Sequence, residues 1–193
     1  GEAGQGIATP GDILARILVR RGLHLNTYNA YQSIIRGGHI FLTIRIAQQE
    51  LLSHGDKLDL LHCLNQDTMD RHLGLLGDDT RILFNSDTIT PGEGAKGVGI
   101  CPIPVSELTQ SRNRLIQNTV GVGATCSLMG LDFSILEESL TARFARQGQS
   151  VVDENVGVAQ AGYDYASKNF ETFPVALPEN RHPLAQWAGN EAI

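Results

Sequence analysis

The first six residues, Gly1-Glu2-Ala3-Gly4-Gln5-Gly6, hold three glycines and run directly into Ile7-Ala8-Thr9-Pro10. A backbone this bare can turn sharply and approach a ligand or a neighbouring element closely. Thr9 suits the cap of a following helix, Pro10 its first position and Gly22, after Arg20-Arg21, its end. Open N–H groups at a helix start attract anions, so the chemistry on offer is phosphate or carboxylate binding. The same turn also serves tight packing in α/β domains, and the residues alone leave both readings open.

A dinucleotide site needs an acidic residue about twenty positions past the glycines, to hold the ribose hydroxyls. No Asp or Glu lies between Asp12 and Glu50, and the window holds Arg16, Arg20, Arg21, Arg36 and Arg45 instead. That argues against NAD and favours NADP only marginally. A cationic segment suits a multiply phosphorylated ligand or an acidic protein face. Arg16, Arg20 and Arg21 equally fit the solvated side of one helix. Arg36, in a glycine-rich loop ahead of Gly37-Gly38, has no helical face to decorate and is assigned a contact role. Glu2 brings negative charge to the turn, which counts against a phosphate nest, and it is a candidate acceptor for Arg36.

Catalysis by this chain alone is not expected. It has no G-x-S-x-G elbow, no Cys–His motif and no framed pair of carboxylates. Glu137-Glu138 reads as solvated helix surface and Asp78-Asp79 as a turn. Cys63, Cys101 and Cys126 are scattered and never form C-x-x-C, which gives no zinc or iron–sulfur site and points to a reducing, cytoplasmic setting. His62 stands in an apolar run without a metal-type partner spacing and reads as a core residue.

The 193 residues are 41% hydrophobic and 19% charged, enough to build a core in one domain of ordinary size. A formal charge of −6 gives no sign of a nucleic-acid or anionic-membrane partner. No apolar run reaches membrane-spanning length, and no signal peptide is visible. Opening on a glycine loop without Met suggests a processed or excised piece whose first strand lies upstream.

These residues need elements to hold them. Ile13, Leu14, Ile17 and Leu18 form one apolar face of a helix. Leu23 to Tyr28 is a short strand, and 29–38 a loop. His39 to Ile46 is a second strand, with Ile40, Leu42, Ile44 and Ile46 on one face. Leu58 to Leu64, Arg81 to Asn85 and Gly99 to Pro102 follow as strands, with a helix capped by Asn65 or Asp67 after the first of them. Helices are expected over 118–129, 133–146 and 153–170, with Gly130 ending the first and Asp132 capping the second. This order predicts an α/β fold, a three-layer, Rossmann-like sandwich on a mostly parallel sheet with a helix-rich C-terminal half. The domain is placed at 1–170. Residues 171–193, with three prolines, read as an extended linker.

Gly1 to Gly6 and Ser33-Ile34-Ile35-Arg36-Gly37-Gly38 resemble the G-E-G-G-Q-G and S-x-I-R-G-G signatures of the gamma subunit or domain of 2-oxoacid:ferredoxin oxidoreductases. Residues 118–124, Asn-Thr-Val-Gly-Val-Gly-Ala, and Asn155 with Ala161-Gly162-Tyr163 are similar to that family's C-terminal helices. The chain departs from the pattern at Ala3, where the family has glycine, which puts a positive φ there in question. Residues 186–193 resemble the opening of the alpha domain in enzymes that fuse gamma ahead of alpha, particularly the 2-oxoglutarate type.

The resemblance implies that a 2-oxoacid, 2-oxoglutarate first among the choices, is oxidatively decarboxylated to an acyl-CoA while electrons pass to ferredoxin. It implies thiamine diphosphate, Mg and 4Fe-4S clusters in partner alpha and beta domains or subunits, within an oligomer, and coenzyme A as a co-substrate held partly here. The site residues carried over are Gly4, Gln5, Gly6, Ser33, Arg36, Gly37 and Gly38, with Arg36 as charge partner beside the N–H groups of the glycine turn. A purely structural assembly module and a free-standing nucleotide-binding protein are the alternatives.

Overall fold

The computed structural model describes residues 1–31, 38–53, 55–111 and 113–173. Helix α1 spans Ala8–Arg20 with Ile7 at its N-cap, two residues ahead of the Thr9 cap expected from sequence. Pro10 therefore sits in the third helical position, where its missing N–H is still one of those without an intrahelical partner. Ile13, Ile17 and Leu18 are buried, and Gly22 closes the helix as expected.

Strands β1 (His24–Tyr31) and β2 (Ile40–Ala47) pair antiparallel, from His24 opposite Ala47 to Tyr31 opposite Ile40. The first strand thus runs three residues beyond its expected end at Tyr28, into the stretch read as loop. A parallel pairing would need a crossover of a dozen or more residues, and only 32–39 separate the strands. Leu42 lies against Gly11 of α1, while the partly buried Ile44 and Ile46 reach the core beneath it, so the alternation read in β2 sets which side faces the core.

The remaining strands, β3 (Leu58–Cys63), β4 (Leu76–Asn85) and β5 (Gly99–Ile103), form a parallel sheet in the order β3-β4-β5. Both faces are covered, as a parallel sheet requires. Ile82 and Phe84 pack with Met69 of α2 (Gln66–His72), Ile89 and Ala95. Leu83 points the other way, with Cys101 and Ile103, onto helices α4 (Arg114–Leu128) and α6 (Gln149–Asn169). This is the expected three-layer α/β arrangement; the mostly parallel character belongs to β3-β4-β5, while β1 and β2 stand apart as a ribbon. A short helix α3 (Val105–Leu108) follows β5, and α5 (Phe133–Phe144) joins α1 in the first core.

The helix-rich second half is built around one close crossing. A Cβ on Gly123 of α4 would overlap the Ala159 carbonyl of α6, and one on Gly162 would overlap the Val120 carbonyl. Two helices approach this closely only when the contacting residues lack side chains. Beside the crossing, the buried Thr119 hydroxyl donates to Asn155 Oδ1 at 3.1 Å, and Asn155 Nδ2 donates to the Val151 carbonyl at 2.8 Å. Tyr163 donates to the Leu131 carbonyl at 2.9 Å. The residues that carried the C-terminal resemblance are therefore the ones that let α4 and α6 touch.

Both helices begin four residues earlier than expected, at Arg114 and Gln149, since their first turns are polar or exposed and break the apolar period. Asp132 stands at the N-cap of α5 without a side-chain cap bond. The Phe173 N–H returns to the Leu128 carbonyl at 2.8 Å, and 174–193, most of the expected linker, lie outside the described residues. Among the described residues, no helix is long and apolar enough to cross a membrane.

Candidate functional site

Parallel strands of an open α/β sheet gather their loops at the carboxyl edge, where ligands bind. Here Cys63, Asn85 and Ile103 end β3, β4 and β5 at one cavity of about 260 Å³. Asn65 lines it and caps α2, accepting from the Thr68 N–H at 2.9 Å. Asn85 lines it and holds the turn after β4, accepting from the Asp87 N–H at 2.9 Å. Gln117, Asn118 and Gly121 come from α4, whose Asn113 cap accepts from the Leu115 N–H at 3.0 Å.

Glu2 and Gln5 of the glycine turn complete the lining. The turn is pinned on both sides. The Ala3 N–H donates to the Gly38 carbonyl at 3.0 Å and the Ile40 N–H to the Gly1 carbonyl at 2.9 Å, with Glu2 bridging His39. On the other side Asn118 Nδ2 donates to the Gln5 carbonyl at 2.6 Å. Gly4 (φ 94°) and Gly6 (φ 81°) occupy the left-handed region, which a Cβ disfavours. Ala3 does not: no described non-glycine residue has a positive φ, so alanine is accommodated there without strain.

The turn's own donors are mostly engaged. The Glu2 N–H donates to Gln5 Oε1 at 2.9 Å and the Gln5 N–H to the Glu2 carbonyl at 3.1 Å, in addition to the Ala3 bond. Backbone N–H groups held this way do not form an open anion cradle.

Glu2 and Arg114, 4.0 Å apart, are the charged side chains among the described residues that line the cavity. His62 forms part of the lining with the Cε1–Nε2 edge of its ring against Gly121. Burial holds its imidazole down at about 4, so it is neutral at physiological pH. It is a half-buried cavity residue and not the core residue expected from sequence, since its apolar neighbours concealed the cavity. Burial likewise pushes the Cys63 thiol up to about 12, which leaves it unreactive.

Of the residues singled out from sequence, the structure brings Gly4, Gln5 and Gly6 into one turn that is joined to Gly38 through Ala3. Ser33, Arg36 and Gly37 lie outside the described residues. Arg16 pairs with Asp12 along the exposed side of α1, as a solvated helix face would, and Arg45 donates to the Ser53 carbonyl at 2.8 Å. Arg114, Asn118, Asn65 and Asn85 were not foreseen as site residues. Only Asn65 left a local signal, as a helix cap.

Next to the turn lies a second polar cluster. His39 stacks on His72 with ring centroids 5.1 Å apart and on Phe41 at 5.8 Å, and its Nδ1 is 3.4 Å from Asp67 Oδ2. Asp67 is in turn held below the usual carboxylate range by the hydrogen bond from Arg71. Among the described residues, no group of three or more His, Cys, Asp or Glu side chains could hold a metal ion.

The family described as pyruvate ferredoxin/flavodoxin oxidoreductase matches residues 1–165. The ketoisovalerate oxidoreductase subunit VorA of Methanothermobacter marburgensis is 25% identical over 174 residues, covering 89% of this chain and 36% of that protein. The structure of 2-oxoglutarate:ferredoxin oxidoreductase from Magnetococcus marinus, with 2-oxoglutarate, coenzyme A and succinyl-CoA bound, is similar at a TM-score of 0.86 and 25% identity. It covers 95% of this chain and 32% of that one. A keto/oxoacid ferredoxin oxidoreductase gamma subunit from Geobacter sulfurreducens shares the fold at a TM-score of 0.66 and 21% identity, covering 85% of this chain and 93% of that one. The chain thus spans about a third of the length of VorA and of the Magnetococcus chain. With its glycine turn at the carboxyl edge of a parallel sheet and its sequence matched almost throughout, the chain belongs to the pyruvate ferredoxin/flavodoxin oxidoreductase family.

Proposed function

We propose that the chain is the gamma-type portion of a 2-oxoacid:ferredoxin oxidoreductase, with 2-oxoglutarate as the 2-oxoacid, and that it forms one wall of the coenzyme A site and part of the subunit contacts. The observation that carries the reading is the glycine turn pinned over the carboxyl edge of the sheet by Asn118 and Gly38. The coenzyme A bound to the Magnetococcus protein supports the choice of ligand. At about 260 Å³ the cavity falls below the roughly 300–1,000 Å³ of a complete small-molecule site, so another domain must supply the rest.

In this reading thiamine diphosphate, with Mg, supplies decarboxylation in a partner alpha or beta domain, and 4Fe-4S clusters there pass electrons to ferredoxin. The residues described above bind and orient. The turn walls one end of the cavity, His62 offers a neutral ring, and Arg114 stands exposed at the rim for an anionic end. Arg36 is assigned as a second cation for the coenzyme A phosphates, beside Ser33 and Gly37.

Replacing Arg36 by Ala in the assembled enzyme tests this. The KM for coenzyme A should rise about tenfold while assembly stays intact, as expected for loss of one charge-assisted contact. A broken oligomer with unchanged coenzyme A dependence would instead favour a structural assembly module. Leu115 gives that second reading one observation: it is 55% exposed beside the turn, an uncovered apolar side chain of the kind a partner surface buries.

A further inference from the structure

We propose that the cavity at the carboxyl ends of β3, β4 and β5 takes an uncharged, amide-bearing chain, which under the coenzyme A reading above is the pantetheine arm and not the phosphates. The inference rests on that reading and on the hydrogen-bond inventory of five of the six carboxamides in the lining.

Each carboxamide is fixed at one end by a backbone group. Asn65, Asn85 and Gln5 each accept a backbone N–H through their oxygen, from Thr68, Asp87 and Glu2, all at 2.9 Å. Gln117 and Asn118 each donate from nitrogen to a backbone carbonyl, of Ser111 at 3.1 Å and of Gln5 at 2.6 Å. A backbone N–H can only donate and a carbonyl only accept, so the network itself says which end is oxygen and which nitrogen. The opposite ends are three NH2 groups and two carbonyl oxygens without a hydrogen-bond partner among the described residues. Gln66 differs: it donates to Asp70 and accepts from Thr90, which engages both ends.

A phosphate accepts hydrogen bonds and cannot satisfy the acceptors that the lining residues Gln117, Asn118 and Glu2 keep unpaired with the backbone. A secondary amide offers one donor and one acceptor together, which matches the mixture. His62, uncharged in its place against Gly121, also offers one of each. The one cation of the described lining, Arg114, has a side chain 74% exposed at the rim, where a charged end would remain outside.

Asn65→Ser and Asn85→Ser keep a side-chain oxygen for the Thr68 and Asp87 N–H groups, remove the unpartnered NH2 and add no charge. The pair is introduced into the full-length protein assembled with its partner subunits, with retained melting temperature as the check on folding. Coenzyme A, pantetheine and adenosine 3′,5′-bisphosphate are the probes. Pantetheine should compete with coenzyme A and weaken roughly tenfold in the double variant, while the bisphosphate stays within about twofold. The proposal is overturned if pantetheine does not compete, or if the bisphosphate weakens as far. It is also overturned if the double variant loses its partner subunits, since a partner polypeptide then fills the cavity. A KM for coenzyme A raised by Arg36→Ala, with pantetheine unchanged by the double variant, sinks this inference alone. If neither moves, the coenzyme A reading falls with it.

Discussion

Asn118 Nδ2 donates to the Gln5 carbonyl at 2.6 Å, and this single bond ties the glycine turn to a helix 113 residues later in the chain. Asn118→Asp keeps the side chain's shape and removes the donor. The lost bond and the carboxylate oxygen set against the Gln5 carbonyl should together cost about 2 kcal/mol. Hydrogen exchange at Gln5 to Ile7 should speed up by a similar factor. Unchanged exchange there would show that the strand-like contact with Gly38 to Ile40 holds the turn alone.

The α4–α6 crossing leaves no room for a methyl group. Gly162→Ala would drive a Cβ into the Val120 carbonyl, and Gly123→Ala one into the Ala159 carbonyl. Backbone, not a flexible side chain, is what must move, so each change should cost about 3 kcal/mol. Urea unfolding reads this directly. A loss within about 0.5 kcal/mol in either variant would mean that the helices separate freely, contrary to the packing described.

Thr119 and Asn155 form a buried polar pair across the same crossing. The Thr119 hydroxyl also reaches the Leu115 carbonyl at 3.3 Å, so Asn155→Leu removes the cross-helix bond without orphaning Thr119 and should destabilise by about 1 kcal/mol. Adding Thr119→Val to it should cost little more, because the cross-helix bond is already gone. Strict additivity of the two changes in a double-mutant cycle would contradict the pairing.

His62 makes stability depend on pH in a stated direction. Its folded pKa is about 4, depressed by burial from the 6.5 of an unfolded chain. Above 6.5 neither state is protonated there, and the residue contributes no pH slope. As pH falls from 6.5 toward 4, the unfolded chain takes up the proton first and stability declines, on the order of 3 kcal/mol in all. His62→Gln should remove that part of the decline, measured as the difference in unfolding free energy from the parent between pH 7.5 and 4.5. Parallel curves for the two proteins would refute the assignment.

Much of the frame was legible because its signals are local. The alternation of Ile40, Leu42, Ile44 and Ile46 marks a strand with one core-facing side, and Asn65 three residues before Thr68 marks a cap. β1 was harder: His-Leu-Asn-Thr-Tyr-Asn-Ala-Tyr is too polar for a core strand, and it forms because β2 pairs with it. The cavity was hidden for another reason. Asn65, Asn85 and Asn118 read separately as cap, strand-end and helix residues; only the parallel crossovers bring the three strand ends and the turn to one place. His62 shows the same limit, since apolar sequence neighbours say nothing of the space beyond its ring.

Helix α4 gives Val122 and Cys126 to the core beneath the β1–β2 ribbon and Val120, Ala124 and Leu128 to the core against the parallel sheet. A rod common to two interiors cannot leave one and stay in the other. Ribbon and sheet are therefore bound to melt together, and whatever tilts α4 at the cavity is felt at once on the far side of the molecule.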